Sequence, residues 1–69
     1  MVKPVHPIIT ELKAIRRSQK VSQDAVGFAL GIQQAVISEW ESGDHNPQLH
    51  SLSKWADTLG YDVVLKLKD

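Results

Sequence analysis

The interval from Gly27 through Gly31 to Ile37 constrains this chain more than any other feature of it. Glycine inside a helix costs about 1 kcal/mol relative to alanine, so Gly27 is tolerable where another helix crosses close against its backbone. Gly31, four residues on, suits a left-handed helix stop, and Ile37, six further, is placed to enter the gap between two helices. A small residue, a glycine turn and a β-branched residue at these intervals give the spacing of a helix-turn-helix.

The flanking sequence supplies the rest of a bundle. Pro7 suits a first helical turn, where its missing N–H would have no partner anyway, and Ile8, Ile9, Leu12 and Ile15 follow at helical spacing. A first helix is expected over about 7–19. Ser22 is a natural N-cap for a second, over about 22–30, with Asp24 in its first turn to favour the helix dipole. Ile37 and Trp40 share one face of a third, over about 33–41, which Ser42-Gly43-Asp44-His45 breaks. Asn46 before Pro47 reads as an N-cap and first helical residue, and Leu49, Leu52, Ala56 and Leu59 carry a fourth helix over about 47–59. After Gly60 the period changes from 3.6 to 2: Tyr61, Val63, Leu65 and Leu67 alternate with Asp62, Val64, Lys66 and Lys68, which reads as a strand. A lone strand must pair with the N-terminal stretch, where Pro4 lacks a donor, or with the same strand of a second copy.

The expected fold is all-α, a compact four- to five-helix bundle over residues 1–60, followed at 61–69 by a short strand that is a candidate dimer element through Tyr61, Val63, Leu65 and Leu67. A chain of 69 residues holds one small domain. Without cysteine there is no disulfide framework, thiolate zinc site or catalytic thiol. His45 and His50 have no third ligand at a usual spacing, so no metal is expected. No nucleophile elbow, phosphate loop or paired-carboxylate arrangement stands in the sequence, which argues against an enzyme and against a bound cofactor. No apolar run approaches the roughly 20 residues that cross a bilayer, and Met1-Val2-Lys3-Pro4 lacks a hydrophobic signal core. A cytoplasmic, nucleoid-associated protein with no membrane partner is expected. Trp40 and Trp55 fall on apolar stripes and read as core, although Trp55 also offers a partner-facing patch.

Eight basic and eight acidic residues cancel overall but not locally. Lys3, Lys13, Arg16, Arg17 and Lys20 oppose only Glu11 in the first twenty residues, whereas Asp24, Glu39, Glu41, Asp44, Asp57 and Asp62 oppose only Lys54 over 21–62. An anionic partner must be met mainly from the first segment.

Val21-Ser22-Gln23, Leu30-Gly31-Ile32, Ile37-Ser38-Glu39-Trp40-Glu41-Ser42-Gly43, Asn46-Pro47 and Ala56-Asp57-Thr58-Leu59-Gly60 are each weak signals. Their order and spacing, from about Leu12 to Gly60, resemble the Cro and phage-repressor (XRE-like) type of helix-turn-helix domain. The resemblance implies a lambda-repressor-like bundle that sets its third helix in the major groove of double-stranded DNA. It also implies that Gln34, Ala35 and Glu39 meet base edges, that Gln23, Gln33 and Ser38 lie near phosphates or support the readers, and that Arg16 and Glu41 form a partly buried structural ion pair. Helical geometry alone puts Ala35, Val36, Ser38 and Glu39 away from an inward Ile37, with Gln34 at the flank. Glutamine can bridge adenine N6 and N7, alanine or valine can touch a thymine methyl, and glutamate can accept from cytosine N4.

Three departures from the family pattern matter. The third helix has no lysine or arginine, Gln33 stands where a short hydroxyl cap is usual, and Asp44 occupies a loop that approaches the DNA backbone in many relatives. Phosphate contacts would fall to Lys13, Arg17 and Lys20, and two subunits reading half-sites about 34 Å apart would compensate for modest affinity. The expected activity is that of a small DNA-binding transcriptional regulator, a homodimeric repressor on a palindromic operator. Two alternatives are an antitoxin that also neutralises a partner protein, and an interaction module that keeps the fold with little DNA affinity.

Overall fold

The computed structural model describes residues 5–68. They form four helices, α1 (Pro7–Ser18), α2 (Gln23–Leu30), α3 (Gln34–Ser42) and α4 (Leu49–Thr58). Each contributes its apolar stripe to one core: Ile9 and Leu12 from α1, Val26 from α2, Ile37 and Trp40 from α3, Trp55 and Ala56 from α4, and Leu59 just beyond it. Val26, Ile37 and Trp55 are fully buried. Trp40 packs tilted on Trp55, ring centroids 5.8 Å apart, so both tryptophans fill core volume. Burial of Trp55 removes it as a partner-facing surface, and its indole N–H has no hydrogen-bond partner among the described residues.

All four helices stop in the same way. The amide N–H groups of Val21, Ile32, Asp44 and Tyr61 donate back to the carbonyls of Arg16, Gly27, Glu39 and Ala56 at 2.9–3.0 Å. This six-to-one bond requires a left-handed residue just before the donor. Gly31, Gly43 and Gly60 supply it at three ends, while Lys20 does so at φ 60°, a conformation that costs a non-glycine residue about 1 kcal/mol.

The helix starts are less uniform. The Ser22 hydroxyl oxygen accepts from the Ala25 N–H at 3.0 Å, the cap expected from the sequence. His6 Nδ1 accepts from the Ile8 N–H at 3.1 Å and caps α1 ahead of Pro7, a role the sequence did not announce. Gln33 and Gln48 precede α3 and α4 without a side-chain cap bond. The start expected at Asn46-Pro47 is displaced, because the backbone at Gln48 is extended, with ψ 158°, and holds off the first helical turn until Leu49. Leu49 is consequently 74% exposed rather than part of the core stripe.

Residues 61–68 form no strand, and no ladder pairs them among the described residues; Pro4, the doubtful partner, lies outside that range. Val63 packs on the core, whereas Leu65 and Leu67 are 104% and 92% exposed. Among the described residues the alternating segment finds no second strand, so it has no ladder to join there.

Candidate nucleic-acid interface

The site begins with Gly27. A Cβ there would stand 2.8 Å from the Ile32 carbonyl oxygen and 3.4 Å from the Gln34 amide nitrogen. Only glycine allows this approach, which brings the turn and the first residue of α3 down onto α2. Ile37 then sits fully buried between the two helices, the position its spacing indicated.

That closeness lets a hydrogen-bond relay run from the interior to the surface. Arg16 Nε donates to Glu41 Oε2 at 2.7 Å and Nη2 donates to Oε1 at 3.0 Å, a two-pronged pair. The side chains are 11% and 2% exposed. Arg16 Nη1 donates to the Val21 carbonyl at 2.8 Å, pinning the end of α1. Gln23 Nε2 reaches the same carboxylate at 3.0 Å, and Gln34 Nε2 in turn donates to Gln23 Oε1. The expected ion pair is therefore present, and Gln23 connects it to the first residue of α3. Gln34 keeps its carbonyl oxygen and one amide hydrogen, the acceptor and donor that match adenine N6 and N7.

Gln33, Gln34 and Ala35 are exposed along the start of α3, and Ser38 and Glu39 are half-buried further along. Val36 is half-buried like Ser38 and Glu39, and part of its side chain packs against the core one turn before Trp40. The loop after α3 folds back on Glu39: His45 Nδ1 lies 2.7 Å from Glu39 Oε2, and the Asp44 and His45 N–H groups donate to the Glu39 carbonyl at 3.0 and 3.3 Å. The Ser42 hydroxyl approaches the same carbonyl and Asp44 Oδ2, each at 3.1 Å. His45, which the sequence left without a role, thus orients one oxygen of the glutamate. The six-residue gap across Gly43 was the only available hint, and no helical period spans a left-handed turn.

The cations are distributed differently from the sequence count. Arg16 is neutralised internally by Glu41, leaving Lys13, Arg17 and Lys20 as the described basic groups of the first segment. Lys13 and Arg17 are one turn apart on α1, Arg17 and Lys20 are exposed, and none of the three joins the α2–α3 relay.

The helix-turn-helix family profile matches residues 12–65. The chain belongs to the Cro/C1-type helix-turn-helix family. It is accordingly a DNA-binding regulatory domain of this type, from a family that is regulatory rather than enzymatic. A search of curated proteins gave no match. In this helix-turn-helix, α2 and α3 are the motif, Gly31 is its turn, and the Arg16–Glu41 pair ties α1 to the end of α3. No helix is long and apolar enough to cross a membrane, and no group of three metal-ligating side chains occurs among the described residues.

Proposed function

We propose that the chain is a sequence-specific transcriptional repressor that occupies a palindromic operator as a homodimer, with α3 in the major groove. The relay from Arg16 through Glu41 and Gln23 to Gln34 supports this reading, because it holds an exposed amide at the start of α3 from a buried anchor. Gln34 reads adenine, Ala35 touches a thymine methyl, and Glu39, oriented by His45, accepts from cytosine N4. Gln33, Ser38, Lys13, Arg17 and Lys20 serve the phosphates or the readers. Neutralising three phosphates per subunit gives a salt slope of about −2.7, doubled in a dimer.

Selection from random duplexes at two salt concentrations tests the reading. A palindrome should be enriched, Gln34→Ala should lose about 1–3 kcal/mol at one base pair of each half-site, and Arg17→Ala should weaken all sequences alike. Absence of enrichment at both salts refutes it and favours an interaction module without useful DNA affinity.

A further inference from the structure

From residue 21 to residue 53 the chain has no lysine or arginine, while Asp24, Glu39, Glu41 and Asp44 are acidic. Glu41 is engaged by Arg16, but the Glu39 side chain is 44% exposed on α3. A carboxylate that approaches DNA carries its charge into the field of the phosphates, so it needs a cation beside it. His45, with Nδ1 2.7 Å from Glu39 Oε2, is placed to become that cation. The backbone fixes it there: Gly43 turns the chain left-handed, and the Asp44 and His45 N–H groups donate to the Glu39 carbonyl. The imidazole is 70% exposed and meets Glu39 through Nδ1, which leaves Nε2 for a ligand.

We propose that His45 binds a DNA phosphate as an imidazolium, with Nδ1–H on Glu39 and Nε2–H on the phosphate, and that each subunit takes up a proton from solvent in doing so. The inference rests on the reading of α3 in the major groove with Glu39 at a base edge, and adds to it one phosphate contact and a dependence on pH. A helix with its side chains is about 10–12 Å across and fills a major groove about 12 Å wide. A group beside the helix, as His45 is beyond the turn at Gly43, therefore comes to the groove wall, which is phosphate.

The proton follows from the number of donors required. Neutral imidazole has one N–H and one bare nitrogen, so between two anions it can satisfy one and must turn a lone pair to the other. Imidazolium donates to both. Histidine is the side chain whose charge ordinarily changes between pH 5 and 8. The other titratable or charged groups around this loop are accounted for separately. Asp44 meets the Ser42 hydroxyl, Glu41 is held by Arg16, and His50 lies in the first turn of α4. His6 lines a depression with Asn46 and Pro47, with Nδ1 accepting from the Ile8 amide.

The probe is the duplex enriched from the random library, titrated with the full chain in fluorescence anisotropy at about pH 6 and about pH 8. Raising the pH should weaken binding at least about 10-fold and flatten the salt slope by about 0.9 per subunit, the share of one phosphate contact. His45→Gln keeps a donor but cannot gain charge, so its affinity and salt slope should be the same at both pH values. His45→Lys keeps the charge, so its salt slope at about pH 8 should equal that of the parent at about pH 6. His50→Gln should retain the pH dependence of the parent. His45 is exposed, so the helical circular dichroism of its variants should persist and separates a lost contact from a lost fold. Parent binding that is the same at both pH values, a pH dependence that survives in His45→Gln, or one that disappears in His50→Gln overturns the contact while leaving the DNA-reading role of α3 intact. A library that yields no enriched duplex at either pH overturns both.

Discussion

Removing the Arg16 guanidinium is the most demanding test of how this domain is assembled. The Arg16→Ala variant would leave the Glu41 carboxylate, 2% exposed as a side chain, with Gln23 as its remaining donor, and would release the Val21 carbonyl at the end of α1. Breaking one side of a buried pair costs about 3–5 kcal/mol. A chain of 69 residues has only about 3–10 kcal/mol in total, at roughly 0.05–0.15 kcal/mol per residue. With a melting shift of about 4–8 °C per kcal/mol for a domain this small, Arg16→Ala and Glu41→Ala should each melt roughly 12–40 °C lower. Thermal circular dichroism and urea midpoints measure this, and Arg16→Lys should not rescue it, because an ammonium cannot make the two-pronged contact. Replacing both partners together, with Arg16→Met and Glu41→Leu, should recover much of the loss, since neither charge is then left buried alone. Single variants that melt within a few degrees of the parent would show that the pair contributes no net stability.

Two further substitutions probe the backbone. Gly27→Ala should gain about 1 kcal/mol of helix propensity yet lower stability by a net 1–3 kcal/mol or so, because the new Cβ meets the Ile32 carbonyl at 2.8 Å; a urea midpoint above the parent's would refute the close approach. Gln48→Ser should give α4 the side-chain cap it lacks, adding about 0.5–1 kcal/mol and a few degrees of melting temperature, and a lower melting temperature would contradict it.

The helical core was readable because its signals are local and agree with one another. Ser22, Gly31 and the stripe of Ile9 and Leu12 each state their own conformation, and Gly27 with Ile37 reports the crossing of α2 and α3. The start of α4 was not readable, since Pro47 tolerates both a first helical turn and the extended backbone that continues to Gln48. Arg16 and Glu41 are 25 residues apart, and no periodicity links them; only the family resemblance did. The Gln23–Gln34 and Glu39–His45 contacts depend on how a turn closes in space, which spacing alone does not encode. The alternation at 61–68 is plain in the sequence, but a pattern for a strand names no partner, and a single subunit has none to offer among its described residues.

The relay through Gln23 has a consequence for changing what this domain recognises. An altered side chain at 34 disturbs a hydrogen bond that leads, in two further steps, to a charge the fold depends on. Position 35 has no such tether, so in the proposed readout a new side chain introduced there leaves the interior untouched. Retargeting should therefore start at Ala35 and move to Gln34 only together with Gln23.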